Sequence, residues 1–197
     1  MNQVLTRARN KIGALAESKA KLALTLTLGV ALMTLSAKVQ IPFWPVPMTL
    51  HTLAVMAIAV ALGPYAAVSI FIAYLAAGAV GLPVFSGTPA RGIGLAYMVG
   101  PTGGYLLGYL IASGLVGKLA AGRGTLRRLG AMLAGLAVVY GFGLLWLSLF
   151  VPVGQLLALG VAPFLLGDLV KIGVVAVAAA LLSASGLLER IKSHVGF

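Results

Sequence analysis

The chain has 197 residues, of which 61% are hydrophobic and 9% charged, with no cysteine and a formal net charge of +11. With a mean hydropathy of +1.10, it is too apolar and too short to hide its hydrophobic residues as a soluble domain. The lack of cysteine excludes a disulfide frame and a thiolate metal site. The basic residues flank apolar runs without interleaved aromatics, which argues against a nucleic-acid partner.

Residues 1–20 come first and are basic. Val4, Leu5, Ala8, Ile12, Leu15 and Ala16 recur at roughly helical spacing, with Arg7, Arg9, Lys11 and Lys19 mostly elsewhere on the wheel. This predicts a helix lying on the inner membrane surface. A first apolar span follows over 22–37. The competing reading is a signal peptide with Leu22 to Leu35 as its apolar core and Ser36-Ala37 near the cleavage point. The long charged region before it and five later spans favour a retained helix. Ala23, Thr27 and Ala31, four apart, give this span a small-residue face that permits close backbone approach.

The 38–49 loop holds Pro42, Pro45 and Pro47 with Trp44 among them, which predicts a stiff, hairpin-like segment. Spans over 50–63 and 65–81 follow, and His51 opens the first of them as a helix cap or interface residue. The 82–101 loop is long and carries Arg91. Gly100-Pro101-Thr102-Gly103-Gly104-Tyr105 opens the next span, 102–121, and is no phosphate loop because no Gly-Lys-Ser/Thr follows. Gly104, Gly108 and Ala112 share a face there and predict tight packing on a neighbour. Spans over 129–150 and 162–186, joined by a 151–161 loop, complete the chain.

Six spans place both termini on one side. Arg7, Arg9, Lys11, Lys19, Lys21, Lys118, Arg123, Arg127, Arg128, Arg190 and Lys192 share that face, whereas only Lys38 and Arg91 fall in loops on the other. The positive-inside rule then puts both ends in the cytoplasm. The expected fold is an all-α integral membrane protein, one transmembrane domain over 1–197.

Only three carboxylates occur: Glu17 and Glu189 near the ends, and Asp168 inside the last apolar span. An ionisable residue near the bilayer centre costs roughly 2.5–3.5 kcal/mol on insertion scales and demands a partner or a task. Lys171 follows one turn later on the same helix face. Helical rise puts the pair about 10 Å below the outer surface, so the unusual chemistry of the outer half converges on a pocket open to the outside. Arg91 offers a planar fork for a carboxylate, and Trp44, Phe85, Tyr74, Tyr97 and Tyr105 offer walls. Such a pocket suits a small ligand with an acid at one end and an amide-like group at the other. The plainer alternatives are a self-neutralising Asp168–Lys171 pair, a solvated Arg91 and an interfacial Trp44. A single carboxylate and one boundary histidine in the spans supply neither a metal site nor a catalytic set. No enzyme and no cofactor are expected.

Three segments carry a resemblance. They are Ile41-Pro42-Phe43-Trp44-Pro45-Val46-Pro47-Met48-Thr49-Leu50-His51-Thr52, the run from Tyr74 to Phe85, and Gly100 to Tyr105, followed by Asp168 and Lys171. In this succession the chain resembles the BioY family, the biotin-binding S components of energy-coupling factor (ECF) vitamin transporters. The resemblance implies six helices, capture of biotin from the outside, and delivery inward with a transmembrane T component and two ATPase subunits. It also leaves open a self-sufficient secondary carrier, since some members are thought to act without a dedicated module. By the same resemblance Asp168 and Lys171 contact the ureido ring, Arg91 pairs with the valerate carboxylate, and Trp44, Thr49 and Tyr74 line the pocket. Ala23, Thr27 and Ala31 become the face that docks the T component, against the alternative of internal packing. One departure stands out: the family usually reads Pro-x-Thr-x-Gln-Thr, where this chain has His51 in place of the glutamine. The 38–49 loop is the expected wall and the 82–101 loop the expected mobile lid.

Overall fold

Glycine, proline and polar breaks set the helix boundaries in an otherwise apolar chain. The structure, a computed structural model, describes residues 2–41, 44–122 and 124–194. Pro42, Phe43 and Arg123 lie outside the described residues, as do the side chains of the basic tail up to Ala16 and of Lys192.

Helix α1 runs unbroken over Asn2–Lys38. At ~1.5 Å per residue its 37 residues reach about 55 Å, well past a hydrocarbon core of ~30 Å. The basic tail and the first span are therefore one rod, not a surface helix joined to a span. The physical reason lies in Lys19, Ala20 and Lys21, strong helix formers that give the backbone no cause to break. An antiparallel ribbon follows, β1 (Gln40–Ile41) with β2 (Met48–Thr49), pairing Gln40 with Thr49 and Ile41 with Met48. The proline-rich loop does fold back on itself.

Helices α2 (His51–Leu62) and α3 (Pro64–Ala79) are separated by Gly63, whose φ of +83° suits glycine. Pro64 then starts α3 where its missing N–H costs nothing. A single-turn α4 (Leu95–Met98) lies in the loop before α5 (Gly103–Ala120). After α6 (Thr125–Leu147), a 3₁₀ turn (Val153–Gln155) and α7 (Leu156–Gly160) lead into α8 (Ala162–Ala184) and α9 (Leu187–His194). Among the described residues, four stretches are long and apolar enough to cross a membrane: Glu17–Lys38, Gly103–Ala120, Thr125–Leu147 and Val153–Ala184. The apolar α2 and α3 are shorter.

Helix α2 is central, packed on α1, α3, α5 and α8, with Ala54, Val55, Met56 and Ala59 buried. The most extensive interface joins α5 to α6. A side-chain carbon on Gly108 would lie 2.8 Å from the Val139 Cα, and one on Gly104 would lie 2.2 Å from the Trp146 Cβ. Glycine is what lets these backbones approach, which is the close packing expected of Gly104, Gly108 and Ala112. Away from the hairpin, Arg128 is buried and donates from Nη1 to the Ala179 carbonyl (3.1 Å) and Ser183 Oγ (2.7 Å). It ties α6 to the last turns of α8, where a cation favours exposed carbonyls.

Candidate ligand-binding site

A cavity forms where the start of α2, the first half of α5, the later part of α6 and the first half of α8 converge beside the hairpin. Its empty volume, counting space open to the outside, is ≈ 600 Å³. Asp168, Lys171, Thr49, His51, Tyr74 and Tyr140 are among the lining residues.

The polar heart of the cavity comes from the i, i+3 spacing on α8. Lys171 Nζ donates to Asp168 Oδ1 at 2.8 Å and to the Thr49 carbonyl at 2.6 Å. Tyr140 Oη on α6 donates to Asp168 Oδ2 at 2.8 Å. The side chains are only 6% (Asp168) and 16% (Lys171) exposed, so the charges neutralise each other in a low-dielectric setting. One protein donor per oxygen leaves the carboxylate with lone pairs still able to accept a ligand N–H. The pair is thus both a self-satisfied ion pair and a wall of the cavity.

Aromatic residues supply the remaining walls. Tyr74, Tyr97 and Tyr105 line the cavity with Tyr109 and Phe164. Tyr105 Oη donates to the Gly160 carbonyl (2.8 Å), Tyr74 Oη to the Val84 carbonyl (3.3 Å), and Tyr109 Oη shares a 2.6 Å hydrogen bond with Thr52 Oγ1. Burial raises the Tyr97 phenol above its ordinary value, while hydroxyl contacts from Thr102 and Ser86 and the charge of Arg91 pull it back.

Three residues expected at the lining lie elsewhere. Trp44 is 70% exposed, because the hairpin turns Val46 and Pro47 inward and leaves the indole outside. Phe85 is completely buried behind the wall. Gly78 leaves room for its ring, which stacks on Tyr97 (centroids 4.8 Å apart) and meets Tyr74 edge-on at 5.3 Å. Its work is to hold two lining tyrosines. Arg91 lies outside the lining, with Nη1 donating to the Pro45 carbonyl at 3.0 Å. Two further contacts fasten the same loop. Lys38 Nζ donates to the Phe85 carbonyl (2.9 Å) and Thr88 Oγ1 (2.8 Å), and Ser86 Oγ to Gln40 Oε1 (2.6 Å). The 82–101 loop is therefore clasped to α1 and the hairpin.

Tyr140, Tyr109 and Phe164 were not legible as site residues, since each is one aromatic in an apolar span. The one available signal was the i, i+4 spacing of Tyr105 and Tyr109, which puts both hydroxyls on one face of α5. His51 does not cap α2. Leu50 holds the N-cap position, the His51 N–H donates to Thr49 Oγ1 at 3.2 Å, and the imidazole turns inward. On α1, Ala23, Thr27 and Ala31 are exposed, alongside the exposed Leu24, Leu28 and Leu32. This face does not pack inside the bundle.

The chain is similar to known proteins. A model of the BioY family matches residues 8–186. The chain is 38% identical over 153 residues to a probable biotin transporter BioY of Pyrococcus horikoshii, covering 78% of this chain and 90% of that one. It is 34% identical over 151 residues to the biotin transporter BioY of Thermotoga maritima, covering 76% and 88%. Among solved structures, the crystal structure of the S component for biotin from an ECF-type ABC transporter superposes with a TM-score of 0.65 at 28% identity, over 89% of this chain and 93% of that one.

Proposed function

The chain belongs to the BioY family, and on that premise we propose that it captures biotin with high affinity outside the cell, as the S component of an ECF transporter. As a member of a transporter family it is not an enzyme. Entry to the cytoplasm is driven by a T component and two ATPase subunits. The observation that carries the reading is the buried Asp168–Lys171–Tyr140 cluster facing the cavity.

In this reading the chain is a single transmembrane domain of six spans in a prokaryotic inner membrane. α2 and α3 count among them, and the basic residues lie on the cytoplasmic side. The cavity then belongs to the outer half. Asp168 accepts a ureido N–H and Lys171 donates to the ureido oxygen, while Thr49 and Tyr74 line the cavity beside them. On ligand entry Arg91 leaves the Pro45 carbonyl for the valerate carboxylate, and Trp44 sits on the outer face as an interfacial anchor. Nanomolar capture needs about −12 kcal/mol, or about −0.8 kcal/mol for each of biotin's roughly 16 heavy atoms, below the small-ligand ceiling of about −1.5. Such efficiency asks for a preorganised site, and the clasped loop and internally paired polar cluster fit that need. The exposed Ala23, Thr27 and Ala31 form the face for the T component, small enough for a reversible intramembrane contact.

The test is calorimetry of the purified protein with biotin, thiamine and riboflavin. The expected result is stoichiometric binding of biotin and none of the other two. No heat from biotin, with the protein folded, would remove the biotin assignment.

A further inference from the structure

Among the described residues, one buried side-chain polar atom has no hydrogen-bond partner: Nε2 of His51. His51 is only 5% exposed, and it lines the cavity. Leaving a polar atom unpaired in a buried site is costly unless something else satisfies it.

The surrounding bonds fix which nitrogen carries the proton. Nδ1 lies 3.5 Å from Ser36 Oγ on α1. A serine hydroxyl has one hydrogen, and that of Ser36 goes to the Met33 carbonyl at 2.7 Å. Ser36 can therefore only accept from His51, so the hydrogen sits on Nδ1 and Nε2 presents a lone pair. A second proton would put a charge into a buried site against the rings of Phe71, Tyr74 and Tyr109. The nearby hydroxyls do not fill the gap. Tyr74 Oη is engaged with the Val84 carbonyl and Tyr109 Oη with Thr52.

We infer that His51 is a ligand-binding residue whose Nε2 accepts a hydrogen bond from an N–H or O–H donor of the bound molecule. The inference rests on the biotin reading, and there the donor is one of the two ureido N–H groups. The other N–H goes to Asp168, which in the free protein already holds Tyr140 and Lys171. The site thus reads the ureido ring with two acceptors of different kinds, one ionised and one neutral.

The chain has two histidines, so His194→Gln leaves His51 as the sole imidazole for ¹⁵N NMR of labelled protein in detergent. The free protein should show Nδ1–H with a bare Nε2, and biotin should shift the Nε2 resonance toward a hydrogen-bonded value. In calorimetry, His51→Phe should weaken biotin roughly 10- to 100-fold, the loss expected of an orphaned buried donor. His51→Gln, which restores an acceptor, should recover most of it. An Nε2–H tautomer, or biotin affinity unchanged in His51→Phe, overturns the role of His51 while leaving the biotin reading intact. If the parent itself fails to bind biotin, the biotin reading and the inference built on it fall together.

Discussion

Replacing Asp168 with asparagine tests the site most directly. The carboxylate is held by Lys171 and Tyr140, each at 2.8 Å, and the substitution keeps the shape while removing the charge. Lys171 then keeps the Thr49 carbonyl and at most a neutral amide oxygen, and stays a largely buried cation. Breaking a buried pair from one side costs about 3–5 kcal/mol, which should appear as a lower Tm of the free protein. The loss in binding is separate. A ureido N–H that met an ionised acceptor now meets a neutral one, and forfeiting such a charged hydrogen bond is worth about 1.5–3 kcal/mol, or roughly 10- to 160-fold in Kd. The companion variant Asp168→Leu with Lys171→Met removes both charges. It should regain most of the lost Tm, because an apolar replacement of a buried pair is often neutral or better, while biotin binding stays lost. Calorimetry and thermal unfolding in the same detergent separate the two. Asparagine at 168 binding biotin as tightly as the parent would refute the reasoning.

Other perturbations probe different parts of the molecule. Gly108→Val should destabilise by about 1–3 kcal/mol through overpacking, since its first side-chain carbon meets the Val139 backbone at 2.8 Å; an unchanged Tm would show that α5 and α6 part easily. Ala31→Trp, on the exposed face of α1, should leave biotin binding intact and abolish uptake in cells, and equal loss of both would sink the docking face. Arg91→Ala should weaken biotin about tenfold, by loss of a charged hydrogen bond, and leave biotin methyl ester nearly unaffected; equal weakening of acid and ester would confine Arg91 to its contact with Pro45.

What the sequence made legible was chemistry out of place. Asp168 and Lys171 stand out because an apolar helix holds no other charge, and their spacing alone places them on one face. Gly104 and Gly108 declared a close helix contact by the same logic. What stayed hidden depended on which way a chain turns. Trp44 and Val46 are two residues apart, yet the hairpin faces one outward and the other inward. Phe85 looked like a wall residue but lies behind the wall, because the space it fills is made by Gly78, seven positions earlier on a different segment. Tyr140 gave no signal at all, since its value lies in reaching Asp168 from another helix.

The charge balance of the cavity ties these points together. Its ionised lining residues are Asp168 and Lys171, which cancel, so the lining offers no net charge to a monoanionic ligand. The polar cluster is therefore suited to a neutral, donor-rich head such as a ureido ring, and the lone pair of His51 adds to that preference. The acid end of the ligand must find its cation beyond the lining. On the proposed reading Arg91 meets that requirement. Its hydrogen bond to Pro45 joins the two loops that border the cavity. Exchanging a neutral carbonyl for a carboxylate strengthens the bond Arg91 makes, roughly doubling it for a charge-assisted pair. The ligand's own charge can therefore draw the guanidinium inward, away from the Pro45 carbonyl. Lys38 and Ser86 would still hold the loop to α1 and Gln40, so the cavity stays bordered while its far end acquires the charge that the lining lacks.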